Sequence, residues 1–202
     1  MGTFILRVVV GLLFVGHGLQ KLAGLFGGGG IEQTEKMMDA LDMHPVGLQA
    51  RAAGLAETAG GAALALGAAT PLASAGLIAT MLTAVRKVHA KNGLWNGKGG
   101  VEFNLVMIAV AAALAEKPGR ASVDGAFGRS RWGTGWTVFA LLAGAAGSAL
   151  AIAAGKRFAP AGGIGDTAGA TSTVSDSAES STNDETDSSD DWDDLDDEES
   201  DE

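Results

Sequence analysis

Residues 61–85, GAALALGAATPLASAGLIATMLTAV, carry no charged side chain. A helix on the surface of a water-soluble bundle needs a recurring polar face, and this stretch has none. The reading that follows is membrane burial. Apolar segments occupy residues 3–22, 45–69, 72–88, 103–115 and 134–154. A helix needs roughly 17 to 25 residues to cross a bilayer, and the fourth segment approaches the lower limit when extended to residues 101–117. The expectation is an all-α, polytopic transmembrane four-helix bundle with a fifth transmembrane helix, in a multi-pass protein of the cell membrane.

Local signals refine the segments. Arg7 interrupts the first apolar run, and no small-residue cleavage pattern precedes Lys21, so this run reads as a retained helix rather than an export signal. Pro71 separates the second and third segments as a tight helical hairpin, with a single kinked helix as the rival. Pro45 is expected in the first turn of the second helix, giving it about 25 residues. Residues 26–45, FGGGGIEQTEKMMDALDMHP, suggest a flexible glycine turn and then a short interfacial helix. Ile31, Met37, Met38 and Leu41 would form its apolar side, with Glu35, Lys36 and Asp39 in water. Gly54, Ala62 and Ala65, with Ala73, Gly76 and Ala79, are candidates for close helix contact.

The net charge of −10 conceals two regions. All 14 Lys and Arg residues and eight acids lie in residues 1–160, and the other sixteen acids lie in residues 161–202. The basic, apolar body suits contact with anionic lipid headgroups, and the acidic end disfavours nucleic acid. So many carboxylates repel one another, so this end is expected to be disordered and hydrated, excluding other anions or capturing a basic partner. The expected organisation is a membrane bundle over residues 1–128, an added helix with its flanks over 129–158, and the acidic tail over 159–202.

Alternating the segments across a membrane brings the unusual polar residues to one end. His17, Gln20 and Lys21 lie toward the far end of the first helix. Arg86, Lys87, His89, Asn92, Trp95, Glu102 and Asn104 lie around the far ends of the third and fourth. Glu57 is the sharpest member, about 18 Å along the second helix when counted from Pro45 at 1.5 Å per residue. A carboxylate at that depth needs a proton or a cation, and Lys21, Arg86, Lys87 and protonated His17 are the candidates. It would serve as a proton acceptor, a ligand-binding group or a structural ion pair. His17 and Lys21 share a helix face. For His17 the choices are proton transfer, ligand contact or packing; Lys21 reads first as a snorkelling interfacial anchor, and Arg7 as an anchor at the other face. His89, Asn92 and Trp95 offer directional hydrogen bonds and an aromatic surface to a quinone-like ring, or else a helix cap and a membrane-belt aromatic. Glu102 opens the fourth helix, where a carboxylate favours the dipole.

The chain has no Cys, which removes disulfides, thiolate catalysis and Cys-held clusters. No histidine spacing enforces a metal site, and no nucleotide-binding or catalytic-triad pattern is present.

Taken in order, RVVVGLLFVGHGLQKLAG (residues 7–24), GLAETAGGAALALG (54–67), HAKNGLWNGKGGVEFNLV (89–106) and KPGRASVDGAFG (117–128) resemble the DoxX family of small membrane proteins over residues 4–128. The resemblance implies a four-helix membrane bundle. It marks His17, Lys21, Glu57, His89, Asn92, Trp95, Glu102 and Asn104 as the characteristic polar positions of a proton, ligand or quinone site. Relatives include a subunit of an archaeal thiosulfate:quinone oxidoreductase and components of membrane-associated oxidative-stress complexes. The last apolar segment and the acidic tail depart from the family pattern. The implied cytoplasmic N-terminus is opposed by the distribution of basic residues, nine to five.

The leading functional expectation is an accessory subunit of a membrane redox or quinone-linked complex, with quinone as the non-covalent cofactor, a redox protein as partner and membrane lipid around it. Supplying no redox group of its own, the chain is expected to act as a subunit rather than as an enzyme alone. A small proton-coupled transporter and a non-enzymatic assembly protein are the other readings, and a homo-oligomer is left open.

Overall fold

Glycine- and alanine-rich apolar segments have few side-chain groups to pair with the backbone, and a helix satisfies those backbone groups within one segment. A computed structural model, describing residues 1–160, is all-α. The described residues form seven α-helices: α1 (Gly2–Ala23), α2 (Gly30–Ala40), α3 (Val46–Leu66), α4 (Thr70–Ala84), α5 (Glu102–Glu116), α6 (Val123–Ala126) and α7 (Thr134–Arg157). Residues 161–202, which carry the acidic run, lie outside the described residues. α1 and α7 are, by length and apolarity, long enough to cross a membrane. Leu48, Leu55, Leu72, Leu142 and Leu150 lie exposed on the outer surface.

α1 packs along α3, α3 against α4, and α4 against both α5 and α7; α2 lies across α1 and α3. Glycine sets the first of these contacts. A methyl group at Gly11 would stand 2.6 Å from the backbone nitrogen of Ala65 and the carbonyl of Gly61. At Gly18 it would stand 2.6 Å from the nitrogen of Thr58 and 2.7 Å from the carbonyl of Gly54. Glycines seven residues apart on each helix therefore let two backbones touch, the association available where lipid gives no hydrophobic drive between helices. A methyl group at Gly76, expected in such a contact, would meet nothing within 4 Å among the described residues. Val10, Phe14, Leu64, Leu77, Met107 and Leu114 form one buried cluster, and Ile78 with Ala75, Ala111, Ala115 and Ala140 a second beside α7.

One helix boundary differs from expectation. Pro45 precedes α3 as its N-cap residue in an extended conformation, and the helix has 21 residues. Its fixed φ suits that boundary as well as the first turn. α4 follows as a hairpin partner: Gly67 ends α3 in the left-handed region at φ 66°, and Ala69 repeats that conformation at φ 44° before Pro71 enters the first turn of α4. At its other end α4 runs into a π-helical turn, Val85–His89, and then a short 3-10 turn, Ala90–Asn92. The expected short helix is present as α2, with Met38 buried and Lys36 and Asp39 exposed; Met37, expected on its apolar side, is exposed as well, and Glu35, expected in water, is half-buried.

Candidate functional site

Lys21 follows Gly18 by three residues on α1, and Glu57 follows Gly54 by three on α3, so the glycine contact carries both side chains inward together. Lys21 Nζ donates a hydrogen bond to Glu57 Oε1. Among the cations that could have met Glu57, the fold selects Lys21. Glu57 is 2% exposed. Its other oxygen, Oε2, is buried without a hydrogen-bond partner among the described residues. A carboxylate removed from water is costly unless paired, which accounts for the lysine and leaves the second oxygen with unmet acceptor capacity.

Both side chains line a cavity of about 490 Å³ whose walls come from α1, α2, α3, α4, α5 and α7. His17, His89 and Asn104 reach the same cavity, as do Gln49 and Lys87. Its lining also includes Met37, Met38, Met43, Met81 and Met107, every methionine after Met1. Thioether side chains are unbranched and adapt to irregular shapes, so this wall can fit a ligand without one rigid outline. The volume falls in the range of about 300–1,000 Å³ found for small-molecule sites, and an apolar lining with a few convergent polar groups is their usual chemistry. His17 Nδ1 lies 2.9 Å from the carbonyl of Leu13, one turn back on α1. Asn104 is buried, and its Nδ2 donates to Met81 Sδ at 3.5 Å.

Asn92, Trp95 and Glu102 are not brought into the cavity. Asn92 and Trp95 belong to the segment before α5, and Glu102 opens that helix. Asn92 Nδ2 donates to the carbonyl of Gly99 at 3.1 Å, beside His89 Nδ1 at 2.7 Å from the same oxygen. Glu102 Oε2 accepts from the backbone N–H of Asn96 at 3.0 Å in the first turn of α5. Trp95 is 66% exposed. His89 thus joins the loop to the cavity wall, while the other three shape or border the loop.

A second polar centre closes the opposite end of the bundle. Arg7 is not an interfacial anchor: it is 2% exposed. Its Nε donates to the carbonyl of Ala65 at 3.0 Å, Nη1 to Pro118 at 2.8 Å and Nη2 to Ala121 at 2.6 Å. Three carbonyls from the α3 terminus and the loop after α5 are satisfied by one fork of donors. Nearby, Asp124 accepts from the N–H of Ala69 at 2.9 Å, the N–H and hydroxyl of Thr70 at 2.9 and 2.6 Å, and the indole of Trp132 at 3.0 Å. Burial pushes the Asp124 carboxyl upward, but the hydrogen bonds from Thr70, Trp132 and Ala69 outweigh it and hold the group below its ordinary range. Asp124 acts as the N-terminal cap of α4 from a distant part of the chain. Sequence reading passed over this residue; its only signal was its place in KPGRASVDGAFG.

Residues 2–90 match the family model described as DoxX. No curated protein and no solved structure matches the chain. The match covers His17, Lys21, Glu57 and His89 and ends before Asn92, Trp95, Glu102 and Asn104.

Proposed function

We propose, with the DoxX match over residues 2–90 as premise, that this chain is a multi-pass membrane subunit that holds a quinone-like ligand for a redox complex. The observation that carries the reading is Glu57. One carboxylate oxygen is bound to Lys21, and the other has no partner among the described residues, in the wall of a methionine-lined cavity. A quinone carbonyl accepts hydrogen bonds and a quinol hydroxyl donates one, so an ammonium beside a half-free carboxylate can serve both forms. The apolar walls suit the rest of a lipid-soluble molecule. His17 and Asn104 supply further polar contacts at the same cavity. Electrons come from a partner redox protein, because Lys, Glu, His and Asn side chains carry none.

The multi-pass arrangement is supported by more than α1 and α7. α3 has 21 residues. α4 and its π-helical turn make one helical run over residues 70–89, about 30 Å at 1.5 Å per residue, close to the hydrocarbon thickness of a bilayer. α5, with 15 residues, packs on α4 and α7. The exposed leucines of α3, α4 and α7 then face lipid.

Isolation of the intact assembly in a mild detergent tests this reading. Co-isolated quinone together with a redox-active partner is the expected result. Isolation of the chain alone, with no quinone retained and none taken up on addition, would overturn it. The same half-free carboxylate also favours a second reading, a small proton-coupled transporter. Solute flux in liposomes that disappears with Glu57→Gln would select it over the quinone subunit.

A further inference from the structure

α4 and α7 bring a further group of polar residues together, outside the Glu57 cavity and the Arg7 and Asp124 centre. Arg86 and Lys87, from the π-helical turn, meet Lys156, from the last turn of α7, around a groove of about 520 Å³. Its floor is apolar, formed by Ala149, Ile152 and Ala153. None of the three cations has an ion-pair partner among the described residues, where the ion pairs are Lys21–Glu57, Arg51–Glu35 and Arg131–Glu116. Arg86 is held only lightly on its inner side, Nη1 lying 3.5 Å from the hydroxyl of Ser148. That hydroxyl in turn accepts from Thr83 at 3.0 Å.

We infer that this groove binds the phosphate of an anionic membrane phospholipid. Three cations above an apolar floor match an anionic headgroup continued by acyl chain, a pairing that neither a free anion nor a neutral lipid satisfies fully. The guanidinium of Arg86 offers paired N–H donors to phosphate oxygens, and Lys87 and Lys156 add charge. The cations sit at the C-terminal ends of α4 and α7, where a bilayer interface places headgroups and where the helix dipoles favour positive charge. Lys87 also lines the Glu57 cavity, so the bound lipid would stand next to the ligand chamber. The inference rests on the chain lying in a bilayer and is independent of which ligand the cavity holds.

Native mass spectrometry of the full chain, exchanged with phosphatidylglycerol or phosphatidylcholine, provides the test. Wild type should retain phosphatidylglycerol preferentially, and the preference should fall about fivefold for each cation removed in Arg86→Gln and Lys156→Gln. The charge-preserving pair Arg86→Lys and Lys156→Arg should keep most of it, which separates loss of charge from loss of fold. Equal preference in wild type and the double glutamine variant would overturn the site. So would displacement of the lipid by inorganic phosphate alone, or retention that appears only after residues 161–202 are removed, which would assign the groove to the chain's own acidic segment. Retention of neither lipid by wild type would overturn this inference, whereas recovery of the chain in the soluble rather than the membrane fraction of cells would overturn the membrane reading on which it rests.

Discussion

Lys21 and Glu57 meet because each stands three residues beyond a glycine, Gly18 and Gly54, at the crossing of α1 and α3. The ion pair is thus a consequence of backbone contact, and it sets a charged pair in the wall of a mostly apolar cavity. Removing one partner leaves the other poorly solvated. Lys21→Met and Glu57→Leu are each expected to lower the unfolding free energy by about 2–4 kcal/mol, below the upper end for a buried pair because Lys21 keeps some contact with solvent. The double variant should lose less than the two singles combined, by a coupling of about 1–3 kcal/mol. Denaturation of the full chain in detergent measures this, and strictly additive losses would mean that the pair does not act as a unit.

Close approach along α1 and α3 should make Gly11 and Gly61 intolerant of a side chain. Gly11→Ala sets a methyl 2.6 Å from the backbone of α3, so a loss of about 1–3 kcal/mol is expected. Gly16, on the same helix, has nothing among the described residues within 4 Å of its would-be methyl. Gly16→Ala should be neutral or raise stability by up to about 1 kcal/mol through helix propensity. Equal melting temperatures for Gly11→Ala and Gly16→Ala would contradict the contact.

Asp124 gives the turn between α3 and α4 a pH dependence of definite sign. Its carboxyl is held below the ordinary value in the folded chain, so it contributes stability above the unfolded-state value of about 3.9. That contribution is lost as pH falls through the lowered folded value. Wild type should therefore lose stability relative to Asp124→Asn as the medium is acidified below the ordinary carboxylate range, with the gap constant near neutrality. Because Trp132 donates to the same carboxylate, tryptophan emission should report the change. A gap that is independent of pH would remove Asp124 from this role.

Arg7 should resist its conservative replacement. A lysine ammonium lacks the planar fork that reaches the carbonyls of Ala65, Pro118 and Ala121 together. Arg7→Lys is expected to cost about 2–3 kcal/mol, close to the loss for Arg7→Met, because hydrogen bonds from a charged donor are worth about 1.5–3 kcal/mol each and do not add. Full stability in Arg7→Lys, measured by thermal melting, would show that charge alone suffices.

Helices were legible in the sequence because apolar runs and the break at Pro71 are local signals. Glu57 was legible for a related reason: a carboxylate in such a run is conspicuous wherever the run ends up. Its partner was not, since four cations lay at compatible depths and only the rotation of α1 on α3 chooses among them. Arg7 looked like an anchor because it sits near a helix end, yet the loop after α5 folds over it and supplies carbonyls that no helical pattern announces. Glycines spaced by seven on α1 and α3 could have revealed the crossing, but they were masked by the abundance of glycine elsewhere. The methionine lining was hidden for another reason: Met37, Met81 and Met107 lie far apart in sequence and converge only when α2, α4 and α5 pack. Asn92, Trp95 and Glu102 seemed to belong with Glu57 because they share one end of the bundle, but a common end is a weaker constraint than a common cavity.

The most direct test of the quinone-binding account is photolabelling of the full chain in lipid nanodiscs with an azido-quinone, followed by mapping of the modified residues. The account predicts label on cavity-lining segments of α1, α3 and α5, competed by unlabelled quinone and reduced at least severalfold by Glu57→Gln. Label spread over lipid-facing leucines, uncompeted and unchanged by Glu57→Gln, would contradict it.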